Sequence, residues 1–438
     1  MAKRVAFATL GCKVNQSETE AMKELFRERG YQVSEEYSQE AEVYIINTCT
    51  VTSVADRKSR QLIRRAKRRS PDATVAVVGC WPQVAPDKVG ALPEVDVIIG
   101  TAERSRVVDL VEEAVRTKER VQNVTSVLKK AQFEELPLDY STHSRAFLKI
   151  QDGCNQFCSY CIIPYARGPV RSRSPERVLA AAEQLVANGY KEIVLTGIHL
   201  GLYGSDFSPK DDLQVVLKLL ENIKGLERIR ISSLDPAEVT PELLDLIASS
   251  PKVCPHLHIP LQSGSTNVLK RMQRPYTAKE YLELVSKVRQ VIPDVGLTTD
   301  IIVGFPGETE EDFLATMQMV EAAAFSRLHV FPYSPRSGTP AAKFPDQIKT
   351  KVKEDRSRRL IALGHRLSLA FHRRFLGQPL SVLVEEEREH DLLVGYSGNY
   401  IRVRFSGNEN LVNQIVSVVP YQAAEDHVCG KLRKDIAT

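Results

Sequence analysis

The sequence contains no apolar run that approaches the length of a membrane-spanning helix. It also lacks the features of a signal peptide. The basic residues Lys3 and Arg4 lead directly into a strand-like segment, without an apolar core or a small-residue cleavage site. From these two absences we expect a cytoplasmic protein with no membrane partner.

Neither sign of charge is in large excess. The net charge is +4 for 438 residues, so any signal for nucleic-acid binding must come from local clusters of charge. The hydrophobic content of 43% and the charged content of 26% are those of a folded globular protein and give no sign of disorder. A chain of this length is too long for one ordinary core, and it predicts two or three domains.

Cysteine is scarce, with eight residues, and a disulfide framework is not expected in a cytosolic chain. Three of the eight, Cys154, Cys158 and Cys161, follow the strand-like run Phe147–Ile150 at the spacing C-x3-C-x2-C. A closed zinc site normally uses four ligands, whereas three thiolates leave one position of a metal centre open. A 4Fe-4S cluster held in this way has one iron free to bind a substrate or cofactor. The alternatives are three structural thiols or a zinc knuckle.

Three more cysteines each follow a strand-like run in the first hundred residues. The pairs of run and cysteine are Val5–Leu10 with Cys12, Val43–Ile46 with Cys49, and Thr74–Val78 with Cys80. Helix-like stretches separate the runs, and this alternation predicts a parallel α/β sheet, in which the carboxyl ends of the strands share one edge. We therefore expect the three thiols to converge there and hold a second cluster. The alternative is three small buried side chains.

From residue 145 onward, strand-like and helix-like segments alternate six times. The predicted strands are Phe147–Gln151, Glu192–Thr196, Arg228–Ser232, His256–Ile259, Leu297–Val303 and Arg327–Phe331. Capping boxes at Thr277 and Thr309 mark two of the helix starts. Such units form right-handed crossovers and a parallel sheet that can curl toward a barrel, with the functional groups on the loops after the strands.

The residue pattern changes in the last part of the chain. Residues 349–376 are helical in character and basic, as is the predicted helix 56–69, and both predict basic surfaces. The short alternating runs that follow predict a small antiparallel barrel: Leu380–Glu385, Leu392–Tyr396, Tyr400–Phe405 and Gln414–Val419. Of the two remaining cysteines, Cys254 is interpreted as a structural residue, and Cys429 is not expected to be a cluster ligand.

The loop with Cys154, Cys158 and Cys161 resembles the signature of the radical S-adenosylmethionine enzymes. The resemblance implies that these three residues hold a catalytic 4Fe-4S cluster on a partial barrel of six units. It also implies that residues after the strands contact S-adenosylmethionine, and the candidates are Thr196, Gly197, Ser232, Gln262 and Asp300. For His199 and His258 we expect hydrogen-bonded histidines rather than cluster ligands.

The N-terminal motifs narrow the resemblance. Leu10–Gln16, Asn47–Cys49 and Val78–Cys80 are similar to the N-terminal domain of the methylthiotransferases, which carries a second cluster, so Cys12, Cys49 and Cys80 are its implied ligands. The resulting domain prediction is an N-terminal methylthiotransferase domain at 1–120, a linker at 121–139, a radical S-adenosylmethionine core at 140–370, and an RNA-binding TRAM barrel, OB-like, at 373–437.

The resemblance implies an enzyme that places a methylthio group on C2 of a modified adenosine at position 37 of tRNA. Branches of the family act on threonylcarbamoyladenosine, on isopentenyladenosine, and on an aspartate of a ribosomal protein, and Val14 favours the first. A flavodoxin or ferredoxin as electron donor, a sulfur source and a monomeric state are further expectations. A non-catalytic iron-sulfur RNA-binding protein is the alternative from another class.

Overall fold

A computed structural model describes residues 3–34, 37, 39–128, 132–137 and 144–433. Its first unit is a six-stranded sheet in the order β2-β1-β3-β4-β5-β6, in which every pair is parallel. The strands are β1 (Arg4–Thr9), β2 (Gln32–Ser34), β3 (Val43–Thr48), β4 (Thr74–Gly79), β5 (Val97–Ile99) and β6 (Val121–Asn123). The predicted parallel α/β sheet is therefore confirmed.

Helices cover both faces of this sheet. They are α1 (Lys13–Glu28), α2 (Ser53–Arg69), α3 (Cys80–Val84), α4 (Pro86–Gly90) and α5 (Val107–Thr117). Two separate apolar clusters result, one on each face. The central strand β3 is buried along its whole length, because a parallel strand with helices on both faces has no solvent side.

The second unit is a partial barrel built from two three-stranded parallel sheets. Its strands are β7 (Arg145–Lys149), β10 (Glu192–Thr196), β11 (Arg228–Ile231), β12 (His256–His258), β13 (Gly296–Val303) and β14 (Arg327–Pro332). Single parallel bridges, Ile229 with Val253 and Ser233 with His258, join β11 to the β12 segment. A short antiparallel pair, β8 (Gln151–Asp152) and β9 (Arg171–Ser172), lies beside the cysteine loop. The six units match the six predicted strands.

Eight helices belong to this unit. They are α6 (Ile163–Arg167), α7 (Pro175–Ala187), α8 (Leu213–Glu221), α9 (Pro241–Ser249), α10 (Thr266–Arg271), α11 (Ala278–Val291), α12 (Glu310–Ala323) and α13 (Thr350–Arg373). Both predicted capping boxes, at Thr277 and Thr309, are present. Among the helices of the described ranges, none is long and apolar enough to cross a membrane.

Residues along the barrel strands alternate between two environments. On β10, Ile193 and Leu195 pack with the helices in the largest apolar cluster of the described residues. The alternate residues of each strand face the lumen of the barrel, because successive side chains of a strand point to opposite faces. Those lumen residues are mostly polar, and they include Thr196, Ser232 and Asp300.

The third unit is a closed five-stranded barrel in the order β15-β16-β17-β19-β18. Its strands are β15 (Leu380–Glu389), β16 (Leu392–Ser397), β17 (Arg402–Phe405), β18 (Ile415–Ala423) and β19 (Val428–Leu432). The predicted small barrel is confirmed, but β19 was not predicted. The third strand also begins two residues later than expected, because Tyr400 has a φ of +69° and belongs to the preceding turn.

The C-terminal barrel is docked firmly onto the base of the partial barrel. Arg230 donates to the carbonyl of Gly398 at 2.8 Å, Arg228 donates to the carbonyl of Tyr396 at 3.0 Å, and Arg145 forms an ion pair with Glu385 at 2.6 Å. Of the predicted boundaries, parts of the linker (residues 129–131 and 138–139), the start of the core (residues 140–143) and residues 434–437 of the last domain lie outside the described residues.

Candidate active site

The three N-terminal cysteines lie at the carboxyl edge of the first sheet. Cys12 precedes α1, Cys49 follows β3 directly, and Cys80 is the first residue of α3. Gly11 makes this approach possible, because a Cβ at its φ of +120° would lie 2.9 Å from Cys49 Cβ. The structure therefore brings together the three residues that the sequence analysis selected.

The chemistry of this thiol set suits a metal centre. Burial raises the pKa of Cys49 to about 12, and the neighbouring Cys80 and Cys12 add to the shift. Burial also raises the pKa of Cys80. Three thiols in one place cannot all ionise without a cation beside them, and iron is bound as a cluster by thiolates. The donor set fits an iron-sulfur cluster.

The second thiol set lies on the loop between β8 and α6. Backbone and side-chain N–H groups are directed at its sulfur atoms: Gln156 N–H donates to Cys154 Sγ at 3.3 Å, and Arg274 Nη1 donates to Cys158 Sγ at 3.3 Å. Burial raises the pKa of Cys161 to about 12, with contributions from Cys158 and Cys154. Donors of this kind stabilise thiolate sulfur, so this set also fits a cluster.

Two residues beside this loop were not identified as functional from the sequence. His199 Nδ1 is 3.2 Å from Cys154 Sγ, and His199 Nε2 pairs with Glu238. Arg274, which contacts Cys158, pairs with Asp235. His199 is hydrogen-bonded, as expected, but its partner is a predicted cluster ligand. No sequence pattern marks Arg274, which follows a helix of six residues.

A short chain of contacts joins the two thiol sets. The thiol of Cys12 donates to Asn15 Oδ1 at 3.7 Å, and Arg167 Nη2 donates to the same oxygen at 2.7 Å. The carbonyl of the next residue, Gly168, accepts from the N–H of Cys154 at 3.0 Å. The two sets, which are separated by 74 residues from Cys80 to Cys154, are therefore neighbours across the boundary of two units.

A fully buried group of charges holds that boundary. Glu18 of α1 contacts Arg167 at 2.5 Å, Lys149 at 2.7 Å and Arg104 at 3.2 Å. Asp152 contacts Lys149 at 2.7 Å. We call these five residues the Glu18 cluster. Burial would raise the pKa of Glu18, but the three surrounding cations lower it, so the carboxylate is ionised.

Four of the five candidate cofactor contacts lie at or after the carboxyl ends of barrel strands, and Asp300 lies within β13, three residues before its end. Thr196 ends β10, Gly197 follows it against Gln151, and Ser232 follows β11. Gln262 has a φ of +65° and its N–H donates to the carbonyl of Asp300 at 2.9 Å. The buried hydroxyl of Ser232 has no hydrogen-bond partner among the described residues, which leaves it available to a ligand.

The rim of the site carries exposed aromatic and basic side chains. Phe157, on the cysteine loop, and Tyr165 are both exposed, with ring centroids 5.7 Å apart. The helix α2 exposes Arg57, Lys58 and Arg65, which supports the basic surface expected there. For residues 349–376, which include α13, the expectation is corrected in part. Arg356 is buried against Glu308, and acids pair with most of the other arginines: Arg358, Arg359, Arg366 and Arg374.

Two family models match the chain. The Radical SAM superfamily matches residues 148–320, and the Uncharacterized protein family UPF0004 matches residues 4–100. The solved radical S-adenosylmethionine methyltransferase TsrM from Kitasatospora setae, with cobalamin and a [4Fe-4S] cluster bound, superposes with a TM-score of 0.53 at 16% identity. The superposition covers 78% of this chain and 77% of that chain, and it supports the fold. Fold and cysteine loop together define a radical S-adenosylmethionine enzyme.

Curated relatives narrow the class. The chain is 45% identical to the threonylcarbamoyladenosine tRNA methylthiotransferase MtaB of Bacillus subtilis, over 94% of this chain and 93% of that protein. It is 40% identical to the protein of the same name from Aquifex aeolicus, over 95% of this chain and 100% of that protein. It is also 36% identical to the tRNA-2-methylthio-N(6)-dimethylallyladenosine synthase of Pelotomaculum thermopropionicum, over 98% of both. The chain belongs to the radical S-adenosylmethionine methylthiotransferase family, whose cofactors are S-adenosylmethionine and two 4Fe-4S clusters.

Proposed function

We propose that this protein converts N6-threonylcarbamoyladenosine at position 37 of tRNA, next to the anticodon, to its 2-methylthio derivative. The observation that carries the proposal is the contact between the two thiol sets through Asn15, Arg167 and Gly168. A methylthio transfer needs radical chemistry and a sulfur-handling centre at the same carbon, and the contacts between the two thiol sets support such an arrangement. The names of the relatives that are 45% and 40% identical support the choice of nucleoside.

Each thiol set has its own role in the proposal. Cys154, Cys158 and Cys161 hold the catalytic cluster, and the second cluster is held by Cys12, Cys49 and Cys80. When bound, a cluster with an open iron supplies the electron that starts radical chemistry with S-adenosylmethionine. Such chemistry suits adenine C2–H, because this carbon has neither an acidic proton nor a leaving group.

The residues around the sets orient the reactants. Arg274 and His199 fix the positions of Cys158 and Cys154 by contact with their sulfur atoms. Thr196, Gly197, Ser232, Gln262 and Asp300 are the proposed contacts of S-adenosylmethionine, and the unpartnered hydroxyl of Ser232 supports that assignment for Ser232.

The RNA-binding surface combines the C-terminal barrel with the basic face of α2. Closed five-stranded barrels of the OB type commonly bind single-stranded nucleic acid. The exposed rings of Phe157 and Tyr165 can stack on bases that are unpaired in a loop. The functional domains we assign are 1–120, 140–370 and 373–437, with the linker between the first two. The protein acts as a monomer in the cytoplasm. A flavodoxin or ferredoxin supplies its electrons, and a separate source supplies the sulfur.

Isopentenyladenosine in tRNA is the second candidate substrate, because a dimethylallyladenosine synthase is 36% identical over nearly the whole chain. A non-catalytic iron-sulfur protein that binds RNA is the third candidate. Cofactor cleavage by the reconstituted protein distinguishes the third candidate from the other two, since a binding protein would bind tRNA and never cleave S-adenosylmethionine.

Nucleoside analysis of tRNA tests which modified adenosine is the substrate. A deletion strain is compared with strains that carry the wild-type gene or the Cys49→Ala variant. We expect the 2-methylthio derivative of threonylcarbamoyladenosine to disappear in the deletion and to return only with the wild-type gene. Loss of the isopentenyl derivative instead would identify the second candidate, and an unchanged profile would refute both.

A further inference from the structure

One wall of the barrel lumen carries a polar group that the thiol sets do not use. His258 of β12, Asp300 of β13 and His329 of β14 lie on neighbouring strands. Asp300 Oδ1 is 3.3 Å from His258 Nε2 and 3.1 Å from His329 Nδ1, and the two imidazole rings are 5.6 Å apart. His258 Nδ1 is in turn 2.9 Å from Thr298 Oγ1. These contacts fix the orientation of both rings.

The group has unused hydrogen-bonding capacity on its lumen side. The side chain of His329 is 43% exposed, and β14 is the edge strand of its sheet. Among the described residues, the outer nitrogen of His329, Nε2, has no hydrogen-bond partner, because Asp300 occupies only Nδ1. Asp300 thus sets the position of His329, and His329 borders a cavity that Thr298, α13 and the C-terminal barrel also line.

The chemistry of this nitrogen selects a polar ligand. A neutral imidazole whose Nδ1–H is donated to Asp300 accepts a hydrogen bond at Nε2, and a protonated imidazole donates there. It can therefore bind a hydroxyl in one state and a carboxylate in the other. A threonylcarbamoyl group ends in both, whereas an isopentenyl group has neither and would leave the nitrogen desolvated and unpaired.

We propose that His329, positioned by Asp300 and His258, is the subsite that binds the hydroxyl and carboxylate end of an N6-threonylcarbamoyl group. The proposal rests on the proposed function and names the residue that separates its two candidate substrates. Sites that hydrogen-bond a polar substituent reject analogues that lack it more strongly than apolar pockets reject small changes in size. A single histidine on the lumen wall can therefore contribute much of the discrimination.

The same three side chains could instead hold a metal ion, since their ligand atoms lie within 4.8 Å of one another. The geometry favours hydrogen bonds. Both imidazole nitrogens face the same carboxylate oxygen, at 3.1 and 3.3 Å, and a metal ion would have to displace both contacts. Metal binding is therefore an outcome of the test rather than the proposal.

The test compares His329→Phe and His329→Gln with a matched control, His365→Phe. His365 lies on the surface of α13, where it pairs with Glu425 at 2.9 Å. It borders the same cavity as His329 without belonging to the group of His258, Asp300 and His329, so it controls for the shape of that cavity. Cluster-loaded proteins with S-adenosylmethionine but no reductant are titrated with anticodon stem-loops that carry threonylcarbamoyladenosine or isopentenyladenosine. We expect His329→Phe to weaken binding of the first RNA by about tenfold or more while leaving the second unchanged. His329→Gln, which keeps a hydrogen-bonding group, should lie between.

Methylthiolation assays with a reductant added distinguish failure of the His329 subsite from failure of the proposed function. Wild-type protein should methylthiolate the threonylcarbamoyl RNA, and its failure to do so would refute the proposed function. If wild type succeeds and His329→Phe keeps the same preference between the two RNAs, the subsite alone is refuted. The zinc and iron contents of wild type and His329→Phe are also measured. The loss of one metal ion per chain in the variant would show a metal site instead of the subsite.

Discussion

Replacement of Glu18 by Gln should loosen the joint between the first sheet and the partial barrel. Glu18 is fully buried and is the common partner of Arg104, Arg167 and Lys149. Glutamine has nearly the same size as glutamate, so the change removes one negative charge and little else. Lys149 and Arg167 would then keep their contacts with Asp152, and Arg104 would keep its pair with Glu134 at 3.0 Å, so three cations would face one fewer buried acid.

The magnitude follows from the burial of the cluster. Removing one partner of a buried ion pair costs about 3–5 kcal/mol, since it leaves charge in the interior without compensation. A second signature is the pH dependence. The pKa of Glu18 is held below its ordinary value of 4.5, so the stability it contributes is fully present above that value and is lost as the pH falls through the lower folded pKa. The difference between wild type and Glu18→Gln should therefore shrink in acid.

Trp81 provides the assay. It is the only tryptophan of the chain, and it is buried in the first sheet unit next to Cys80. Its fluorescence during anaerobic urea titration reports unfolding of that unit. The matched control is Glu283→Gln, which breaks an exposed pair with Lys279 at 3.8 Å and should cost less than about 1 kcal/mol. If both variants unfold at the same urea concentration, the Glu18 cluster does not hold the joint.

Three further predictions concern the clusters and the RNA. Cys12→Ala should lower the iron content of the reconstituted protein from about eight to about four per chain, and an unchanged content would remove the second cluster. Cys158→Ala should abolish cleavage of S-adenosylmethionine, whereas Cys49→Ala should keep cleavage and form no methylthio product; a Cys49→Ala protein that still inserts sulfur would contradict this division. The affinity for tRNA should fall steeply as the salt concentration rises. Arg65→Glu should make the slope of log affinity against log salt shallower by about one phosphate contact. An unchanged slope would show that α2 does not face the RNA.

The elements of the fold that depend on local sequence were predicted well. All six strands of the partial barrel were identified, because short apolar runs such as residues 193–195 are bounded by polar residues and helix caps such as Thr277 mark the connections. The convergence of Cys12, Cys49 and Cys80 was predicted because each follows a strand-like run, whereas Cys154, Cys158 and Cys161 were selected by their spacing. A parallel sheet places the ends of its strands on one edge, so a residue just after a strand has a predictable position.

Contacts between units could not be predicted, because no local pattern encodes them. Glu18, Lys149 and Arg167 resemble ordinary charged residues of helices and strands, yet they form the buried joint beside both thiol sets. The fifth strand of the C-terminal barrel was missed because Val428–Leu432 is short and contains Gly430. It is held in place by pairing with β17 and β18 rather than by its own periodicity.

The docking of the C-terminal barrel changes how its role must be tested. Truncation at Gly377 would be expected, from the sequence, to remove an independent RNA-binding module. In the structure Phe371 and Phe375, which precede Gly377, belong to the apolar core of that barrel, and Arg228 and Arg230 donate to its backbone. The truncation would leave apolar rings exposed and would remove the backbone acceptors of Arg228 and Arg230, which would keep only part of their hydrogen bonding through Glu192. Point substitutions on the outer face of the barrel are therefore the sounder probe of RNA binding.

Tyr400 explains why the three units form one active site rather than a chain of modules. It comes from a turn of the C-terminal barrel, and its ring lies 4.5 Å from the guanidinium of Arg230 and 5.8 Å from Nζ of Lys13, the first residue of α1. The imidazole ring of His256, at the base of the lumen, also lies beside the ring of Tyr400, and the two ring centroids are 4.7 Å apart. One side chain thus contacts both other units below the lumen, while the Glu18 cluster joins two of them above. Because the lumen is fixed at both levels, the proposed function would give a defined separation between an RNA on the C-terminal barrel and a base beside the thiol sets, which a transfer between two centres on different units requires.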